Sequence, residues 1–258
     1  MTLASEWTKL VTLRSTYVIL GLSILLSVAV TALLAIIVGA TWSEWTAAER
    51  EEFHPILIST GIGLIVAGIL LVVLGVRTVT SEYSTGMIRT TLTATPARAG
   101  VLAAKVTVVA GVSLAAGLTA GVATFAAGQA IFAAYGLETA SLVDGETLRT
   151  LLASSLIAPV LPLIGLALGF VLRSTAGAIT AVLSLIFAPV VLYPLLPEWW
   201  QDNVLGYFPA QAGDAIAIGH IPEAGVTEPG TGMAIVALAA WLVVFGAVAH
   251  VAFTRRDA

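Results

Sequence analysis

"ILISTGIGLIVAGILLVVLGV", residues Ile56–Val76, runs through the chain without a single charged side chain. At a rise of about 1.5 Å per residue, a helix of this length covers the roughly 30 Å hydrocarbon core of a bilayer. The whole chain is 59% hydrophobic and 10% charged, whereas a soluble domain has about 25% charged residues. The stretch therefore predicts a membrane-spanning helix in an all-α integral membrane protein.

Five further apolar blocks have a similar character, and together they predict a single transmembrane domain over residues 1–258. The third block is too long for one plain span, so part of it should tilt or project beyond the bilayer. The first block is too long for a signal-peptide core, which favours a retained helix. The six predicted spans are residues 17–41, 56–76, 101–135, 151–172, 176–196 and 233–253.

The basic residues predict the orientation of these spans. With the N-terminus in the cytoplasm, nine of the eleven basic residues fall inside, and twelve of the fifteen acidic residues fall outside. Because positive charge resists translocation, we expect a multi-pass protein of the cell (cytoplasmic) membrane with both termini in the cytoplasm. The nine inner basic residues are Lys9, Arg14, Arg77, Arg89, Arg98, Lys105, Arg173, Arg255 and Arg256.

Two segments carry the residue types that favour the membrane–water interface. Before the first span, Trp7 and the aliphatic residues that follow it share one helical face, with Lys9 and Arg14 available for lipid headgroups. This predicts an interfacial helix over residues 1–16, and a simple extension of the first span is the alternative.

The segment 197–232, between the fifth and sixth spans, is predicted to lie on the outer side. It contains Trp199 and Trp200, which fit the aromatic belt at the headgroup level. A short apolar helix in the same segment is expected to lie on the outer leaflet or to dip into it. Prolines in or near spans four and five predict bends, either beside a transport path or as plain packing kinks. They are Pro159, Pro162, Pro189 and Pro194.

The chain lacks the residue patterns of catalysis and of nucleotide binding. It has no cysteine, and its three histidines are scattered without the HExxH spacing of a zinc site. No serine lies in a GxSxG motif, and the two lysines follow Thr8 and Ala104, so a P-loop is absent. We therefore expect no catalytic, metal-binding or cofactor-binding residue. Energy for uphill transport would come from another polypeptide.

One polar segment, "TSEYSTGMIRTTLTATP" at residues 80–96, stands between the second and third spans. Within it, Met87, Ile88 and Leu92 fall on one side of a helix with Arg89 on the flank. The pattern predicts a short amphipathic helix on the cytoplasmic side. A solvated connector, whose basic residues serve only the orientation, is the alternative.

This segment resembles the one after the second span in type-2 ABC-transporter permeases, the family of drug, antibiotic and polysaccharide exporters. Three other stretches are similar to the same family, and with the six spans the resemblance covers nearly the whole chain. These are "SEWTKLVTLRSTY", like its N-terminal connecting helix, "LRSTAGAITAVLSLIFAPVVLYPLLP", like its span-four to span-five junction, and "YFPAQAGDAI", like its outer segment.

The resemblance implies a permease subunit that works as a dimer with an identical or related second copy. It further implies a separate ABC ATPase subunit that carries ATP and Mg, membrane lipid as surroundings, and no nucleic acid as a partner. Spans two and five would line the dimer interface and the substrate route, and no substrate residue can be assigned. The short helix would be the coupling helix that docks into the ATPase, through Glu82, Tyr83, Thr85, Gly86, Met87, Ile88, Arg89 and Leu92.

Within that docking surface, Glu82 and Arg89 would supply charge, and Met87, Ile88 and Leu92 would supply apolar anchorage. Gly86 would allow the two backbones to approach closely. The alternative function is a non-transporting membrane sensor or immunity protein that binds a peptide or lipid, for which the acidic outer face would attract a cationic ligand. An intramembrane enzyme has no candidate residues.

Overall fold

The computed structural model describes residues 2–94, 97–218 and 229–255, and within these ranges the secondary structure is helical without a strand. Parts of the predicted segments lie outside the described residues: Thr95 and Pro96 of segment 80–96, residues 219–228 of the outer segment with His220, and the C-terminal Arg256 and Asp257.

Twelve α-helices follow one another along the described chain, joined in three places by a single 3-10 turn. They are α1 Thr2–Thr12, α2 Arg14–Thr41, α3 Ala47–Glu51, α4 Pro55–Ser84, α5 Met87–Ala94, α6 Arg98–Ala134, α7 Gly145–Ile157, α8 Val160–Leu172, α9 Thr175–Leu192, α10 Glu198–Asn203, α11 Pro209–Ile218 and α12 Thr231–Arg255.

The prediction of six spans is confirmed, since six helical stretches of the described chain are long and apolar enough to cross a membrane. The second span is longer than expected, because α4 continues past Val76 to Ser84 and takes in the first residues of segment 80–96. The six stretches are Arg14–Glu44, Pro55–Ser84, Arg98–Ala134, Gly145–Leu172, Thr175–Leu195 and Thr231–Arg255.

Six antiparallel spans bring the start of α2 and the end of α12 to the same end of the bundle, here called the terminal end. It carries α1, the last turn of α4, α5, the start of α6 and the last turn of α12. Arg98 at the start of α6 donates a hydrogen bond of 2.8 Å from Nη1 to the Phe253 carbonyl oxygen of α12. The opposite end carries α3, α10 and α11 with the loops between them.

Helix α4 is the central helix of the bundle and packs against α2, α6, α8 and α9. Small residues allow these close contacts. A Cβ atom at Gly75 would overlap the backbone carbonyl of Pro162 on α8, and one at Gly63 would overlap the Thr31 hydroxyl of α2. Van der Waals packing of small residues is the usual source of helix association in lipid, and here it fixes α4 between its neighbours.

Helix α2 turns its small polar residues inward and its large aliphatic residues outward. Ser23, Ser27 and Thr31 are fully buried against the bundle, whereas Leu25 and Leu33 are about 60% exposed. The Ser27 hydroxyl is satisfied within the helix, because it donates to the Ser23 carbonyl oxygen at 2.5 Å. This arrangement fits a helix whose outer solvent is hydrocarbon.

The fourth span is broken into α7 and α8 at Pro159, which lies just before the first residue of α8. At the break, α7 touches α6: a Cβ at Gly117 would overlap Ala158, and one at Gly121 would lie 2.6 Å from the Ser155 hydroxyl. The break is therefore accompanied by tight packing, and a role beside a transport path stays a prediction. Pro189 lies inside α9, and Pro194 lies in the 3-10 turn that follows it.

Helix α11 in the outer segment packs against α7 and α12. Its Ala212 and Ala215 are buried in a core cluster that includes Ile164 of α8 and Val182 of α9. The predicted short apolar helix is thus present and contacts the bundle itself. On another side of the same end, Gln129 of α6 donates to the Ser59 hydroxyl at 2.9 Å, which joins α6 to α4.

Candidate functional site: a buried ion cluster at the terminal end

Helix α1 places two opposite charges on one face. Glu6 and Lys9 are three residues apart, so their side chains lie on adjacent turns, and Lys9 Nζ lies 2.6 Å from Glu6 Oε1. Leu13, in an extended conformation, separates α1 from α2, so α1 is a distinct helix and not an extension of the first span. Its position at a membrane interface stays a prediction.

The α1 pair meets a second pair from two spans, Glu82 near the end of α4 and Lys105 of α6. We call Glu6, Lys9, Glu82 and Lys105 the ion cluster. Lys105 Nζ lies 2.7 Å from both Glu6 Oε2 and Glu82 Oε1, and Lys9 Nζ lies 2.8 Å from Glu82 Oε1. The four charges alternate in sign and cancel, and they join α1, α4 and α6.

Burial of the ion cluster carries a free-energy cost, because its charges are removed from water. Side-chain exposure is 1% for Lys105, 3% for Glu82 and 4% for Glu6, while Lys9 keeps 31%. Charges taken out of water cost several kcal/mol each unless geometry and extra hydrogen bonds compensate. Lys105 obtains one such bond by donating to the Thr78 carbonyl oxygen at 3.2 Å. The cluster thus depends on all of its members being in place together.

One acceptor of the cluster is left over. Glu82 Oε1 accepts from both lysines, but Glu82 Oε2 is buried without a hydrogen-bond partner among the described residues. A buried carboxylate oxygen without a donor is unfavourable by about 1–3 kcal/mol or more. Glu82 also lines a cavity between α1, α2, α4 and α5.

Helix α5 is attached to the cluster and to the core. Lys9 Nζ donates to the Thr91 hydroxyl at 3.3 Å, and Ile88 is 2% exposed within a core cluster that contains Phe170 of α8 and Phe253 of α12. Between α4 and α5 the chain turns at Gly86, whose φ of +70° is a conformation that costs glycine little.

The structure corrects two expectations for segment 80–96. Glu82 and Ile88 were expected to face outward, as surface charge and apolar anchor, but both are buried and hold α5 and α1 to the bundle. An amphipathic pattern identifies an apolar face but does not say whether a partner or the same chain covers it. Tyr83 and Leu92 are half-buried against the same core.

The remaining predicted docking residues are exposed at the terminal end. Thr85, Gly86, Met87 and Arg89 form a short surface strip on the α4–α5 turn and the first turn of α5, with Met87 42% exposed. We call these four residues the exposed strip. They combine hydroxyl, apolar and cationic groups, and α5 itself is bonded to the ion cluster through Lys9 and Thr91.

Cation–π stacking supports the same region from the α8–α9 corner. The Arg173 guanidinium lies 4.7 Å from the ring centroid of Tyr83. Arg173 itself adopts a φ of +51° as it ends α8. The hydroxyls of Thr80 and Thr175 lie 2.7 Å apart and join α4 to the start of α9. The last turn of α4 is therefore tied to several of the surrounding helices.

The predicted membrane-interface residues divide between the two ends. Trp7 and Arg14 are exposed at the terminal end, and Trp199 and Trp200 are exposed at the opposite end. Lys9 differs from the expectation of a headgroup contact, because its ammonium group is bonded to Glu6 and Glu82.

Sequence reasoning missed Glu6 and Lys105 as site residues. Lys105 was counted among the inner basic residues, although it lies about two turns inside α6 and is fully buried. The available signal was a lysine inside the apolar run "VLAAKVTVVAG", since an ionisable residue in a span usually has a polar partner. Among the described residues, no group of three His, Asp or Glu side chains could hold a metal ion.

The pKa of Lys9 is raised above its ordinary value of 10.5. Burial alone lowers it, but hydrogen bonds from the ammonium group to Glu6 and Glu82, together with their negative charges, outweigh burial. Because the pKa is raised in the folded protein, the stabilisation is fully present below pH 10.5 and is lost as pH rises through the raised value.

We therefore expect the thermal midpoint of the wild-type protein in detergent to exceed that of Lys9→Met by a constant margin from neutral pH to about 10.5, and to lose that margin above it. Comparing the two proteins at each pH cancels the titration of other residues. Lys9→Arg is the control, because arginine stays charged at higher pH. A margin that grows above pH 10.5 would contradict this assignment.

Fold and site together define a class: a six-span α-helical membrane protein with a charge-neutral ion cluster buried at the terminal end of the bundle. The chain belongs to the DUF2705 family, described as a protein of unknown function, whose match extends over residues 54–258. That range contains Glu82 and Lys105 and begins after α1 and α2. No curated protein matches the chain.

Proposed function

We propose that the chain is the permease subunit of an ATP-driven ABC exporter in the cell membrane, with the terminal end in the cytoplasm. It would form the translocation path as a dimer and couple to a separate ATPase through segment 80–96. The observation that carries the proposal is α5, an eight-residue helix at the terminal end that is bonded to the bundle on one side and exposed on the other.

Coupling needs a surface for the partner and a rigid connection to the spans. The exposed strip offers the surface. The ion cluster and Ile88 offer the connection, because they join α5 to α1, α4, α6 and α8. A displacement of α5 would then move the end of α4 as a body, as rigid-body transitions of packed helices require.

Two spans support the proposed dimer. Helices α4 and α9 pack against each other, and both expose large apolar residues: Ile62 and Ile65 on α4, Phe187 and Val190 on α9. These residues belong to the second and fifth spans, where the resemblance to the permease family expects the dimer interface and the substrate route. ATP and Mg would be bound by the partner ATPase, since this chain has no P-loop.

The proposed docking surface is tested by charge changes in the exposed strip. We expect Arg89→Glu and Met87→Glu each to reduce co-purification of an ATPase from native membranes by about tenfold, because a like or unpaired charge at a desolvated contact is unfavourable. ATPase activity and P-loop peptides in the eluate are measured. Arg14→Glu is the matched control, an identical charge change at the same end on α2.

Transport itself separates the exporter from the sensor alternative. Inverted membrane vesicles that contain the chain and its ATPase should accumulate cargo only with ATP. If wild-type protein retains no ATPase and drives no ATP-dependent transport, the exporter proposal fails. If both strip variants keep the ATPase at the wild-type level, the docking assignment fails while the exporter proposal stands.

A further inference from the structure

A cavity of about 550 Å³ lies beside the ion cluster, between α1, α2, α4 and α5. One wall is apolar and comes from Leu10, Leu13, Ile19 and Leu74. The other wall carries the hydroxyls of Thr78, Ser81, Thr85 and Thr90, and the charged groups of Lys9, Arg77 and Glu82. The cavity therefore joins an apolar half to a strongly polar half.

Its depth in the bundle corresponds to the headgroup level of a bilayer. Arg77 directly follows the apolar run Ile56–Val76, so it lies where the hydrocarbon-length part of α4 ends. Basic side chains at that position extend toward the interface. A lipid that enters from the side would place acyl chains against the leucines and its headgroup among the charges.

Two residues of complementary chemistry line the cavity, Arg77 and Glu82. The Arg77 guanidinium is exposed and has no ion-pair partner in the described part of the chain, which suits it to a phosphate. Glu82 is 2% exposed, and its buried Oε2 has no donor among the described residues. A cationic N–H group would satisfy this oxygen through a charge-assisted hydrogen bond.

We propose that this cavity binds an aminophospholipid, with its phosphate at Arg77 and its primary ammonium group at Glu82 Oε2. The phosphate matches the Arg77 cation, and the ammonium N–H groups match the unpaired acceptor oxygen of Glu82. A choline headgroup carries the same phosphate but has no N–H donor, so it leaves the Glu82 oxygen unpaired. A phosphatidylglycerol headgroup adds net negative charge beside Glu6 and Glu82. The proposal is independent of whether the chain transports anything.

The headgroup test uses the full-length wild-type protein and lipids with identical acyl chains. Native mass spectrometry from mixed micelles should show one bound phosphatidylethanolamine per chain. It should be retained at least about tenfold better than phosphatidylcholine. The monomethyl and dimethyl derivatives remove donors one at a time and should be retained progressively less. Equal retention of phosphatidylcholine, or preference for phosphatidylglycerol, would overturn the proposal.

A variant locates the site. Arg77→Gln should lose retention of phosphatidylethanolamine by about tenfold, whereas Arg255→Gln, the same change at the same end but outside the cavity lining, should behave as wild type. Unchanged retention by Arg77→Gln would overturn the assignment.

Water-soluble glycerophosphoethanolamine should not displace the lipid at equal concentration, and displacement would identify a site for a free headgroup instead. The methyl series remains decisive if the variant does not fold.

Discussion

Replacing Lys105 with Met is expected to lower the free energy of unfolding by about 3–5 kcal/mol. The ammonium group of Lys105 is shared by the carboxylates of Glu6 and Glu82 at 2.7 Å, and the side chain is fully buried. Without it, two buried negative charges share Lys9 as their one remaining ion-pair partner among the described residues. Thermal unfolding of the purified protein in detergent, followed by circular dichroism, measures the loss.

A second variant separates loss of the charge from loss of packing. Lys105→Met combined with Glu82→Leu should be less destabilised than the sum of the two single changes, because the double change removes a cation and an anion together. Thr107→Met on the exposed side of α6 is the matched control and should stay within about 0.5 kcal/mol of wild type. A loss below 1 kcal/mol for Lys105→Met itself would show that the cluster is not formed.

Replacing Gly75 with Ala is expected to destabilise the protein by about 2–3 kcal/mol. The added Cβ would overlap the backbone carbonyl of Pro162, and the nearest atoms at this site all belong to that backbone. A flexible side chain could rotate away, but the two helix backbones must separate. The detergent unfolding assay measures the change, and cross-linking between α4 and α8 would report the separation.

The same helix provides the control for this change. A Cβ at Gly61 meets nothing within 4 Å, so Gly61→Ala should be neutral or slightly stabilising, by up to about 1 kcal/mol, since alanine favours the helix. If Gly75→Ala and Gly61→Ala behave alike, the contact between α4 and α8 is looser than described.

The spans could be predicted from sequence because their signal is local. A run such as Ile56–Val76 has one low-energy solution in a bilayer, a helix that satisfies its own backbone. Pro159 marked the place where the fourth span breaks, since proline cannot donate the helical hydrogen bond. The C-terminal end of α4 was less well predicted, because polar residues up to Ser84 continue the helix without any change of periodicity.

The ion cluster could not be predicted, because its members come together only through the fold. Glu6 and Lys105 are 99 positions apart, and Lys105 and Glu82 are 23 apart. The sequence also could not show which face of α5 is buried. Met87 and Ile88 are adjacent and similarly apolar, yet the first is exposed and the second is buried. Only the positions of α8 and α12 decide which of them is covered.

Helix α2 turns small polar residues inward and large aliphatic residues outward, and this arrangement also determines which substitutions the helix can accept. Outward positions such as Leu25 and Leu33 contact hydrocarbon chains that adapt to any aliphatic shape. Exchange of one aliphatic residue for another there should therefore change the stability very little. Inward positions such as Ser27 and Thr31 face neighbouring helices at fixed distance, where even one extra methylene has no room. In α2, therefore, the small inward polar side chains constrain the sequence, and the large outward aliphatic side chains can replace one another.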